Sequence, residues 1–243
     1  MNNKFEQHPI PVSIFLHLLP GILTGIAFFA VAPVAQRMNF PPFVAHAFAD
    51  LVILLPVIYG ILFYQGFRKN GRLSLEGVVL YRERIAWWKY FVYVPIVVVA
   101  SLIFLLLSPV SDAIREGLFS WWPSMYELSL DLSSYPRSTA IISVVINFLM
   151  ICLAAPITEE IYFRGYLLPR LSRFGFWAVP IHTTLFGLFH TWTPWMAVTR
   201  AIGIIPFAYI VQRTKNIYIG IIAHVLFNLI DLIPAMLLVL QRT

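Results

Sequence analysis

Apolar residues run through this chain in blocks too long for the amphipathic faces of a soluble fold. Seven such runs stand out, at about Val12 to Ala35, Phe43 to Phe67, Phe91 to Leu107, Ser138 to Phe163, Phe176 to His190, Met196 to Val211 and Ile217 to Leu240, with the charges collected between them. A membrane-spanning helix needs about 20 predominantly apolar residues. The pattern therefore predicts an all-α, polytopic integral membrane bundle of about seven transmembrane helices. An eighth, re-entrant or broken element is left open within Ser108 to Arg137 or around Pro194. Pro20, Gly21 and Gly25 fall inside the first run, where neighbouring helices can cover the freed backbone. No internal repeat of the kind that marks many transporters is visible.

Composition sharpens this picture. Of 243 residues, 60% are hydrophobic and 12% charged, against about 25% charged in an ordinary soluble domain. The mean hydropathy is +0.81. The net charge of +6 is not a nucleic-acid signature, because Lys and Arg gather in three short segments: Arg68 to Lys89, Arg164 to Arg173 and Arg213 to Lys215. Seven spans with a cytoplasmic N-terminus put all three on the cytoplasmic side, as positive-inside topology requires. Trp87, Trp88 and Tyr90 read as an interfacial belt, and Ser108 to Arg137 as an extracytoplasmic loop. The single cysteine, Cys152, excludes an intramolecular disulfide and reads as a small core residue. The bilayer is the one partner that composition assigns; oligomeric state is not encoded in any visible pattern.

The chemistry is concentrated at the end of the fourth run, in Ala155-Pro156-Ile157-Thr158-Glu159-Glu160-Ile161-Tyr162-Phe163-Arg164-Gly165. A charge at membrane depth costs roughly 2.5–3.5 kcal/mol on insertion scales, so ionisable groups there point to function. Glu160 and Arg164 stand at i,i+4 on one helical face and can pair. Glu159 is turned away from that partner, which suits a proton acceptor. The plainer alternative is a pair of interfacial charges that anchor a helix end.

Further polar groups occur on later spans: Phe186 to His190, and His224 to Asn228, whose His and Asn share a helical face. At 1.5 Å per residue, Glu159 lies about 16 Å and His224 about 13 Å from the basic ends, with Asn228 about 6 Å further and His190 at about 20–25 Å. Each short pattern alone is weak, and a lone transmembrane His is more often a helix–helix hydrogen bond. That is the reading of His17. His46 and Asp50, at i,i+4 near the start of the second run, could face the site, but an interfacial hydrogen bond is the favoured reading. The ordered set on three separate spans is strong.

Glu159-Glu160-Ile161-Tyr162-Phe163-Arg164, Phe186 to His190 and His224 to Asn228 together resemble the signature motifs of the CAAX protease and bacteriocin-processing family of intramembrane endopeptidases. The resemblance covers about Ser138 to Ile230. One departure is Lys215-Asn216, where members often carry Gly-Ser. The resemblance implies a single membrane domain with a catalytic helical core at 138–240 and, at 1–137, compatible spans without a distinctive motif. It implies an intramembrane active site for peptide hydrolysis, with Glu159 activating water, His190 holding that water, and His224 and Asn228 stabilising the oxyanion. Glu160 and Arg164 would support the site. No cofactor is required in this favoured version. Glu159, His190 and His224 are alternatively zinc ligands, although the compact His-Glu-x-x-His pattern is absent. The substrate would be a peptide or protein, membrane-anchored or not, in CAAX-type processing, bacteriocin maturation or self-immunity. Compact size and short loops fit a prokaryotic plasma membrane. A proton-coupled transporter using the same buried Glu and His is the rival from another class.

Overall fold

The first apolar run forms one helix, α1 (Ile10–Arg37), despite Pro20 and Pro33 inside it. Gly21 explains part of its placement. A Cβ there would stand 1.9 Å from the Phe189 carbonyl oxygen, and Thr191 Oγ1 donates to the Gly21 carbonyl at 2.8 Å. The helix thus lies backbone-close against the residues around His190. His17 is buried, with its ring nitrogens on Ser13 O and His182 Nδ1, which is the helix–helix bond expected of it. This arrangement comes from a computed structural model that describes residues 6–241. The N-terminus, expected in the cytoplasm, lies outside the described residues.

The chain continues through α2 (Pro42–Asn70) and α3 (Trp88–Leu118). Then comes a helical stretch, Arg137–Phe189, that is broken at Gly175, where the backbone turns to φ 56°, ψ −121°. We call residues 137–174 α4 and Ala178–Phe189 α5. After a short turn come α6 (Ala197–Gly203), α7 (Ile205–Thr214) and α8 (Ile217–Gln241). Among the described residues, five helical stretches are long and apolar enough to cross a membrane, and a sixth if Pro194–Gly203 and Ile205–Thr214, bent by 42°, count as one span. The expected seven runs are all helical. The measure differs because the fourth and fifth runs fall within the single Arg137–Phe189 stretch, on either side of Gly175. The bent pair coincides with the expected sixth run, so it adds no eighth element to the seven.

The three basic segments meet at one end of the bundle. The backbone of Leu80 donates to Gly165 O, that of Glu83 to Lys215 O and that of Ile217 to Tyr81 O. Arg170 donates to Val78 O. At the other end, the segment between α3 and α4 folds back on aromatic contacts, with Trp122 against Trp195 at 5.3 Å and Phe29 at 5.5 Å. An Arg115–Glu127 ion pair ties it down. Bundles held by small residues and close backbones are what a lipid solvent favours.

Candidate active site

A cavity of about 470 Å³ opens between these ends, and Glu159, Arg164, His190, His224 and Asn228 all line it. This is the size of a small-ligand or peptide-side-chain site. The helical turns on either side of Glu159 are widened. Phe148–Ala154 and Glu160–Leu167 are π-helical, with a short α segment Ala155–Glu159 between them. π turns are rare and recur at functional sites. Here the first of them presents the carbonyl of Ile151, which accepts from Asn228 Nδ2 at 2.8 Å. That bond holds α8 to α4 beside Glu159 and uses one of the two Asn228 N–H donors.

The two adjacent carboxylates have separate environments. Glu160 is fully buried and does not line the cavity. Its Oε1 lies 3.1 Å from Arg164 and 3.0 Å from His224 Nδ1. The Arg164 guanidinium also sits 4.1 Å from the centre of the Phe186 ring, a cation–π contact. The phenylalanine that opens the Phe186-to-His190 motif is therefore the platform on which the motif arginine rests. Glu159 is 6% exposed and has neither a hydrogen bond nor an ion pair among the described residues.

Hydrogen bonding fixes where the imidazole protons sit. His190 Nδ1 lies 2.9 Å from the Phe186 carbonyl, which can only accept, so Nδ1 carries a proton. His224 Nδ1 faces the Glu160 carboxylate, an acceptor while it is ionised against Arg164, so it too is protonated. Both Nε2 atoms are left for the cavity. Among the described residues, no group of three or more His, Cys, Asp and Glu side chains is gathered closely enough to hold a metal ion. As placed, Glu159, His190 and His224 do not fit a shared zinc ion.

The cavity also takes residues that sequence reasoning set aside or passed over. His46 and Asp50, paired at 3.3 Å, are buried in its wall. The His46 ring packs on Trp192 at 4.4 Å between centres. Asn147, Asp231, Ser101 and Arg200 line it as well. The i,i+4 spacing of His46 and Asp50 was a signal. Arg200 had one too, as a lone cation inside an apolar run. Residues before 138 therefore form part of the wall.

Neither the curated proteins nor the solved structures compared with this chain give a match. Residues 141–230, which contain all six motif residues from Glu159 to Asn228, match the family model described as type II CAAX prenyl endopeptidase Rce1-like, so over that segment the chain is similar to this family.

Proposed function

We propose that the chain is an intramembrane endopeptidase whose water is activated by Glu159 without a metal. The observation that carries this reading is the unpartnered Glu159 carboxylate, in one cavity with two imidazoles held through Nδ1 and open at Nε2. The basic end of the bundle would face the cytoplasm.

The roles follow from the donor and acceptor inventory. Glu159 takes a proton from the attacking water. His190, neutral and protonated on Nδ1, offers the Nε2 lone pair to the second hydrogen of that water and so orients it. The water oxygen bonds to the scissile carbonyl carbon, and the carbonyl becomes an oxyanion. For His224 Nε2 to donate to that oxyanion while Nδ1 donates to Glu160, the ring must be an imidazolium, and Glu160 is the carboxylate that supports this charge. The remaining N–H of Asn228 is the second donor. Each oxyanion donor is typically worth about 3–4 kcal/mol. Collapse of the intermediate breaks the C–N bond, and Glu159 returns its proton to the leaving amine.

The CAAX-type family favours a substrate cut near its C-terminus; bacteriocin processing and self-immunity are further roles consistent with the same hydrolysis. The 138–240 segment is the catalytic core in this reading, with 1–137 completing the cavity wall. The test is cleavage of a broad peptide library by the purified protein in detergent, comparing wild type with Glu159→Ala and His224→Ala, with and without a strong chelator. Loss in both variants with wild-type cleavage surviving chelation supports the proposal. Loss on chelation that zinc restores replaces it with a metallopeptidase. No cleavage by wild type, together with a proton-coupled flux in liposomes that the variants abolish, replaces it with a transporter.

A further inference from the structure

Arg200 is the cation in the cavity wall for which the proposed mechanism has no use. Three arginines line the cavity. Arg115 is paired with Glu127 and Arg164 with Glu160, whereas Arg200 forms no ion pair among the described residues. Among the described residues its guanidinium has two hydrogen-bond partners, Thr193 Oγ1 at 3.2 Å and Met196 Sδ at 3.7 Å. A guanidinium has five N–H donors in a planar fork, so most of them are without a partner among the described residues, on a side chain that lines the cavity. An arginine inside an apolar span is expensive, and neither of these neutral contacts offsets that cost as a carboxylate would.

The position of Arg200 matters as much as its charge. Thr193 holds its guanidinium, and the Thr193 backbone donates to the carbonyl of His190, so Arg200 is fastened to the turn that follows one of the proposed water-holding residues. The same cavity is lined by the aromatic side chains of Phe104, Trp192, Trp195, Phe207 and Phe227, with the carboxyl groups of Asp50, Glu127, Glu159 and Asp231 elsewhere in its wall. A ligand that fits both features is a chain with apolar side chains that ends in one planar anion.

We infer that Arg200 is the anchor for the free C-terminal carboxylate of an apolar peptide substrate, making the cavity selective for peptides cut close to their C-terminus. This rests on the peptidase reading. The guanidinium fork would take the carboxylate in two parallel N–H···O bonds. The aromatic wall would receive the last side chains, and the bond to be cut would lie on the Glu159 side. Arg200 touches the substrate, not the reacting atoms, so it sets specificity and register.

The experiment uses the full-length protein in detergent and one fluorescent apolar heptapeptide, prepared as the free acid and as the C-terminal amide. Binding is measured by anisotropy and cleavage by chromatography, for wild type, Arg200→Gln and Arg200→Lys. The expectation is that wild type prefers the acid by about 10- to 100-fold in Kd and in KM, the range for a hydrogen-bonded charge. In Arg200→Gln this preference should collapse toward unity, with the acid losing more than the amide, and Arg200→Lys should recover part of it. Equal binding of acid and amide by wild type overturns the proposal. So does an equal loss on both peptides in Arg200→Gln, which would mark Arg200 as a brace for the His190 turn or as a remote counter-charge to Glu159. Because binding is read independently, an acid preference without any cleavage would uphold the anchor while removing the peptidase reading.

Discussion

Glu160 Oε1 stands 3.0 Å from His224 Nδ1 and 3.1 Å from Arg164, while its neighbour Glu159 pairs with nothing among the described residues. One residue along the chain separates a structural carboxylate from a free one. The two isosteric substitutions should therefore part company. Glu159→Gln removes no partner, so its thermal midpoint in detergent should stay close to wild type while cleavage is lost. Glu160→Gln leaves the buried Arg164 charge uncompensated, a change worth about 3–5 kcal/mol for a buried pair. It should lower both the midpoint and the activity. Equal midpoints for the two variants would contradict the division of labour.

Gly220 shapes the space in which Glu160 sits. A Cβ there would stand 2.5 Å from Glu160 Oε2 and 3.0 Å from Val211 Cγ2. The carboxylate cannot give way without stretching its bonds to Arg164 and His224. Gly220→Ala should cost about 1–3 kcal/mol, as overpacking does, and should reduce turnover more than substrate binding. Gly60→Ala is the control, because nothing lies within 4 Å of a Cβ at that position. It should be neutral or stabilising, in line with helix propensity. Activity of Gly220→Ala equal to that of Gly60→Ala would show that the carboxylate position does not matter.

The motif residues were legible in the sequence because each is a polar group on a span where polarity is costly, and the i,i+4 spacing named Glu160 and Arg164 as partners. The third member of that cluster, His224, was not, since it approaches Glu160 from another helix 64 residues away and no local spacing encodes such a contact. His46 and Asp50 could be read as a pair, and their facing the site was the less favoured of two readings, for the same reason. At Gly175 the sequence separated two runs by the basic segment Arg164 to Arg173, whereas the structure keeps that segment helical and turns the chain at a single positive-φ residue. The bend at Gly203 falls inside the sixth apolar run, where Arg200 was the one charge and no polar loop marks the break.

The departure at Lys215-Asn216 has a physical resolution. Lys215 takes φ 48°, ψ 41°, the left-handed conformation that glycine adopts freely and that costs other L-residues about 1–2 kcal/mol. Asn216 then does what a serine cap would do, with Oδ1 accepting from the Ile219 backbone at 3.2 Å. It adds two bonds that serine lacks, from Nδ2 to Glu83 O and to Tyr90 Oη. Lys215→Gly should leave the midpoint unchanged or raise it slightly, because relief of strain is offset by the greater freedom of glycine in the unfolded chain. Asn216→Ala should be the damaging change, losing a cap worth about 0.5–2 kcal/mol and the two links to Glu83 and Tyr90. Asn216→Ser should fall between them. Detergent melting curves for the three variants check the order, and a destabilised Lys215→Gly would refute the strain.

His8 makes stability depend on pH at the basic end. Its backbone donates to Arg170 O at 3.0 Å, and its ring meets Tyr166 edge-on at 5.6 Å. Burial, reinforced by the Arg170 charge, lowers its pKa from the usual 6.5 to about 4. Between these values the unfolded chain binds the proton more readily than the folded one, so stability rises with pH across the window. The contribution is fully present above pH 6.5, declines as pH falls, and is lost by about pH 4. His8→Gln removes the titration, so its melting midpoint should fall less than that of wild type between about pH 7 and pH 4, with the two curves closest at the acid end. Parallel curves for the two proteins would show that His8 is protonated as easily in the fold as in water, and that the segment before α1 is not docked on Arg170.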